Sequence, residues 1–170
     1  RNIALDQAKK IKSALLPEIK TVAVTVSPTL AQISQMAEAG FDRIQSHGDP
    51  ADLDIKTAKS SCEYTSKFSL PIVKAFNVSD IDSYNYWQSC PSVAGFVFDA
   101  AKPGSGKTFD RSLIPPLAKP WFLAGGLNTE NIAESIAQCH PWAVDVSSAV
   151  ETNSVKDKEK IKTFIDHVRR

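Results

Sequence analysis

Short runs of β-branched and apolar residues alternate with longer stretches of helical spacing along all 170 residues, and this rhythm constrains the fold most. A strand that returns through a helix to a parallel neighbour is one βαβ unit, so a chain repeating that order builds a parallel sheet covered by helices. The pattern predicts six strands, over residues 21–26, 43–45, 71–76, 93–98, 121–124 and 143–146. Helices are expected over 5–16, ended by Pro17, and over 28–39, with Gly40 past the end. Others are expected over 58–66, over 81–88 behind a Ser79-Asp80 cap, around 112–114, over 129–138 and over 158–168. A β-then-α repeat of roughly 25 residues belongs to a (β/α) barrel or a doubly wound sheet, and both carry function at the carboxyl ends of the strands.

Composition narrows the partners. Lys+Arg 20 against Asp+Glu 19 leaves a formal charge of +1, too weak a field to recruit nucleic acid or an anionic membrane. With 42% hydrophobic and 23% charged residues the chain is neither disordered, coiled coil nor collagen. No apolar run approaches the ~20 residues that span a bilayer, and residues 1–4 lack a signal-peptide core. Cys62, Cys90 and Cys139 are odd in number and scattered, which disfavours a disulfide scaffold and a zinc site and points to a reducing cytoplasm.

The polar residues that interrupt the apolar strands fall where a site belongs. Ser27, Gln45-Ser46-His47-Gly48-Asp49, Asp99, Gly125-Gly126 and Asp145-Val146-Ser147-Ser148 all lie at strand carboxyl ends. Gly125-Gly126, with Asn128 and Thr129 opening a helix, offers backbone N–H groups to an anion, and Ser147-Ser148 can do the same; a plain tight turn is the alternative. Asp99 reads either as a general acid or as a carboxylate capping its loop. His47 is a site residue or a hydrogen-bonded structural imidazole, whereas His140 and His167 have no chemical companion. Residues 101–108, Ala-Lys-Pro-Gly-Ser-Gly-Lys-Thr, imitate a P-loop. A phosphate-cradling P-loop must run straight into a helix, and Pro115-Pro116 limits any helix here to about one turn, so nucleotide hydrolysis is set aside.

Taken together, Gln45-Ser46-His47-Gly48-Asp49, Lys74-Ala75-Phe76, Phe98-Asp99, residues 104–110, residues 123–131 and Val144-Asp145-Val146-Ser147-Ser148 resemble the phosphoribosylanthranilate isomerase family in order and spacing along nearly the whole chain. The resemblance implies a TIM (β/α)8 barrel, with about six of eight βα units in this chain, that acts in tryptophan biosynthesis. The implied reaction is an Amadori rearrangement of N-(5-phosphoribosyl)anthranilate to 1-(2-carboxyphenylamino)-1-deoxyribulose 5-phosphate. In the family an Asp ending the sixth strand protonates the ring oxygen, and Asp99 matches it. A Cys at the end of the first strand removes the C2 proton and has no counterpart here. Gly126, Ser147 and Ser148 match the phosphate loops, with Gly125 beside them, and Asp145 helps shape those loops. Arg1 aligns with an arginine near the anthranilate carboxylate, and Gln45 and His47 fall in the substrate-binding segment.

Residues 1–8 look like the segment entering the family's second helix, so residues 1–170 are expected to form a single barrel domain that is incomplete at its N-terminus, with unpaired sheet edges prone to association. The family usually has Leu at Ser46, Trp at Arg111, Gly at Ala149, Gly at Ser154 and a Phe-containing strand around Thr25. A Gly beside bound phosphate permits φ > 0 or close backbone approach, so the methyl of Ala149 is expected to cost about 1 kcal/mol or more and to weaken substrate binding. Two other readings stay open: a silent phosphate-binding barrel, and a related enzyme acting on another sugar phosphate.

Overall fold

The computed structural model describes residues 2–48, 66–67, 70–77, 84–99, 114 and 117–169. Arg1, Asp49, the helix expected over 58–66, the Ser79-Asp80 cap, the loop over 101–110 and Arg111 lie outside the described residues. Six parallel strands occur in the sheet in chain order. The chain divides into two compact units, Arg1–Ala75 with Asp82–Gly95, and Phe76–Ile81 with Phe96–Arg170.

In the first unit α1 (Leu5–Ser13) leads to β1 (Val22–Val26), α2 (Leu30–Glu38) and β2 (Arg43–His47), followed by the opening residues of β3 (Ile72–Asn77). The short helix α3 (Tyr84–Trp87) and the start of β4 (Val93–Asp99) complete it. Thr29 caps α2 through a reciprocal box: its hydroxyl accepts from the Gln32 N–H while the Gln32 side chain accepts from the Thr29 N–H. α1 ends at Ser13, before the Pro17 stop expected, because the Ala14 N–H already closes on the carbonyls of Ile11 and Lys12. β2 runs two residues further than its apolar pattern suggests, since Val24, Thr25 and Val26 pair with Gln45, Ser46 and His47. β1 exposes Val22, Val24 and Val26 on alternate positions.

Asp42 fastens the entry to β1. Its carboxylate accepts from the Thr21 N–H at 2.9 Å, the Thr21 hydroxyl at 2.8 Å and Lys20 Nζ at 3.2 Å. The Thr21 backbone bond, then the Thr21 hydroxyl and Lys20, hold the Asp42 carboxyl down at about 2. A carboxyl lowered on folding stabilises the fold above its ordinary value near 3.8, and that contribution disappears as pH falls toward about 2. Wild type should therefore be more stable than Asp42→Asn at neutral pH, and the two unfolding midpoints should converge between about pH 4 and 2. Parallel pH profiles across that window would contradict this role.

The second unit holds the end of β3, the rest of β4, β5 (Trp121–Leu123), α4 (Ile132–Cys139), β6 (Ala143–Val144) and α5 (Lys158–Val168). β5 pairs in parallel with β4 and with β6. Its core is aromatic: Phe98 lies 5.7 Å from Phe76, 6.4 Å from Phe96 and 5.8 Å edge-on from Trp121 between ring centroids. α5 matches its expected bounds, capped by Asp157, which accepts from the N–H groups of Glu159 and Lys160. α4 begins three residues later than expected because residues 128–131 fold into an asparagine-braced turn.

A short antiparallel hairpin, β7 (Glu151–Thr152) and β8 (Val155–Lys156), is an element the helix and strand periodicities do not suggest. Its two-residue loop places both Asn153 (φ 51) and Ser154 (φ 63) in the left-handed region, as a tight hairpin turn demands. Glycine at position 154 suits that conformation without the Cβ clash. Ser154→Gly should raise stability by about 0.5–1 kcal/mol, read from a denaturant midpoint, and a fall would contradict the strain assigned to this turn. Ala149, by contrast, lies in a 3-10 turn (Ser148–Val150) and is not among the positive-φ residues. The left-handed strain expected there does not arise.

Cys90 is fully buried and disulfide-bonded, a bridge that the odd, scattered cysteines did not suggest, whereas Cys139 is not disulfide-bonded. Sequence spacing carries no information on which distant cysteines a fold brings within bonding distance.

Candidate active site

Parallel pairing sets the site of the second unit. Because β4, β5 and β6 run in one direction, their carboxyl ends emerge together, and the bonds Ala124 N–H to Phe98 O and Asp145 N–H to Leu123 O, both 2.8 Å, carry the alignment past the strands. Asp99, Gly125, Gly126, Asp145, Ser147 and Ser148 line one open pocket of about 150 Å³. Six of the residues singled out from sequence are thus brought together.

Two loops shape the pocket. Gly125 (φ 85) and Gly126 (φ 67) are successive left-handed residues, a turn that side-chain-bearing residues resist. The turn is braced from behind: Asn131 Nδ2 donates to the Gly126 carbonyl at 2.9 Å, Asn131 Oδ1 accepts from the Asn128 N–H, and Asn128 Oδ1 accepts from the N–H groups of Glu130 and Asn131. The second loop follows β6, and Lys156 Nζ donates to the Ser147 carbonyl at 2.8 Å. Such glycine and serine turns at strand ends can offer short, unobstructed backbone to an anion, and Asp99, a residue type able to exchange a proton, lines the same pocket.

The first unit carries Gln45 and His47. Two residues apart on β2, they share a face, and Gln45 Nε2 lies 2.9 Å from His47 Nε2. Ser27 (φ 44) gives its N–H to the His47 carbonyl at 2.8 Å, and a Cβ on Gly48 would come within 2.8 Å of Ser27 Oγ. The His47-Gly48 turn is therefore closely held.

Sequence reasoning used Lys74 only as part of a motif, yet it is 3% exposed. Its Nζ donates to the carbonyls of Gly48 and Ala75 and lies 5.3 Å from the Trp87 ring. A charged side chain inside an otherwise apolar strand, Ile72-Val73-Lys74-Ala75-Phe76, was the available signal. Lys156 went unnoticed because nothing in the strand and helix periodicity announces the hairpin that bears it.

These features define an α/β enzyme of the barrel type, with its polar residues gathered at the carboxyl ends of parallel strands. The family model described as N-(5'-phosphoribosyl)anthranilate (PRA) isomerase matches residues 1–167. An N-(5'-phosphoribosyl)anthranilate isomerase of Streptococcus mutans is 38% identical over 174 residues, covering 100% of this chain and 82% of that protein. The phosphoribosyl anthranilate isomerase of Thermotoga maritima superposes with a TM-score of 0.77 at 30% identity, over 98% of this chain and 81% of the other. An isomerase of this name solved in complex with reduced 1-(o-carboxyphenylamino)-1-deoxyribulose 5-phosphate superposes with a TM-score of 0.69 at 26% identity, over 98% and 80% of the two chains. The chain belongs to the phosphoribosylanthranilate isomerase family, the isomerases of tryptophan biosynthesis.

Proposed function

We propose that Asp99 is the general acid of an Amadori rearrangement that converts N-(5-phosphoribosyl)anthranilate to 1-(2-carboxyphenylamino)-1-deoxyribulose 5-phosphate. Protonation of the ribose ring oxygen breaks its bond to C1 while the anthranilate nitrogen lone pair forms a C1=N iminium. A base then removes the C2 proton to give an enaminol, and a proton added at C1 with one lost from the C2 hydroxyl gives the C2 ketone, so the product is an isomer and no oxidant or reductant is consumed. The base that the family resemblance assigns to a cysteine has no counterpart among these 170 residues.

The observation that carries this reading is that Asp99 shares one pocket with the Gly125-Gly126 turn and the Ser147-Ser148 loop. A phosphate held by the backbone of those loops brings the sugar ring to the carboxyl. Asp145 is assigned to shaping the phosphate loops, and Gln45 and His47 are assigned to substrate binding on family resemblance alone. Arg1 is assigned to the anthranilate carboxylate on family resemblance. Carbon NMR of N-(5-phosphoribosyl)anthranilate incubated with the protein should show the C2 ketone of the product. Its absence would overturn the proposal and favour the silent phosphate-binding reading.

Among the described residues no helix is long and apolar enough to cross a membrane. A cytoplasmic setting is proposed from the biosynthetic role. Recovery of the protein from a secreted or periplasmic fraction would overturn it.

A further inference from the structure

Each loop of the pocket has one carbonyl gripped by a side chain. Asn131 Nδ2 holds the Gly126 carbonyl at 2.9 Å; Lys156 Nζ holds the Ser147 carbonyl at 2.8 Å and touches Ser147 Oγ at 3.3 Å. Peptides here are trans, so the carbonyl and N–H of one peptide point in opposite directions. Gripping the Ser147 carbonyl thus turns the Ser148 N–H away from Lys156, and gripping the Gly126 carbonyl turns the Leu127 N–H away from Asn131. Leu127 and Ser148 both line the pocket.

The two grips differ in charge. An ammonium on a carbonyl oxygen polarises the whole peptide and makes its N–H a stronger donor, which an amide does less well. Lys156 is itself placed by the tight hairpin turn at Asn153 and Ser154 and by Glu151 Oε1 at 3.0 Å, a carboxylate whose side chain is only 14% exposed.

We propose that Lys156 is a positioning residue for the substrate phosphate: by holding the Ser147 carbonyl it orients and polarises the Ser148 N–H toward the anion. The inference rests on the reading of this pocket as the phosphate site, and goes beyond it by assigning a role to a side chain of the hairpin.

Inorganic phosphate, titrated by calorimetry into the whole protein, is the probe. Lys156→Met should weaken phosphate binding about fivefold, the equivalent of ~1 kcal/mol, while Lys156→Arg, which still donates to the carbonyl, stays near wild type. In turnover the Met variant should raise KM by a similar factor and leave kcat within about twofold, the signature of lost ground-state binding. Unchanged phosphate affinity in Lys156→Met, whatever its thermal midpoint, would overturn the proposal by leaving Lys156 a hairpin brace. Equal weakening in the Met and Arg variants would overturn it too. A wild-type protein that binds no phosphate would instead overturn the phosphate reading of the pocket.

Discussion

Asp99→Asn should lower kcat for phosphoribosylanthranilate by about 10²–10⁴-fold while phosphate affinity stays near wild type, because a positioned general acid contributes that much and the amide keeps the shape of the side chain. The split between the two readouts carries the test. Asp99 ends β4 and lines the pocket, but the phosphate grip is assigned to the backbone of two other loops. Losing the acid should therefore leave the anchor intact. A kcat within tenfold of wild type would remove Asp99 from the reaction, and an equal collapse of phosphate binding would make its role structural.

Phe98→Ala should cost about 3–5 kcal/mol, a large share of the ~5–15 kcal/mol that holds an ordinary domain together. Phe98 is fully buried and packs against Phe76, Phe96 and Trp121, so removing the ring empties the aromatic core of its unit. Phe98→Leu, which keeps more of the volume, should cost clearly less. The position also precedes Asp99, so in a variant that still folds the loosened strand end should reduce turnover as well. Denaturant midpoints measure the first effect; a loss below about 1 kcal/mol in Phe98→Ala would contradict the packing described.

The parallel architecture was legible because a strand buried on both faces reads as a near-continuous apolar run, as residues 93–98 do and residues 71–76 do apart from Lys74. The pocket was legible for the complementary reason: Asp99, Gly125-Gly126 and Ser147-Ser148 interrupt such runs at the ends where parallel strands deliver them together. Element limits followed less well. Ser46-His47 looks like loop by composition and is strand by hydrogen bonding, because pairing with Thr25 and Val26 uses backbone atoms and ignores side-chain polarity. Two residues of β7 pair with two of β8, too few for any periodicity to register, and this hairpin carries Lys156. The Cys90 disulfide escaped because it depends on what the fold brings close, which sequence spacing does not encode, whereas Lys74 carried a signal as a charge inside an apolar run.

The account turns on one pocket binding the phosphate beside the acid. Nitrogen-15 amide spectra recorded while inorganic phosphate is titrated into the protein test it most directly. The predicted result is that the largest shifts fall on Gly125, Gly126, Leu127, Ser147 and Ser148, with smaller ones at Asp99. Saturable shifts confined to other residues, or none at all, would contradict it.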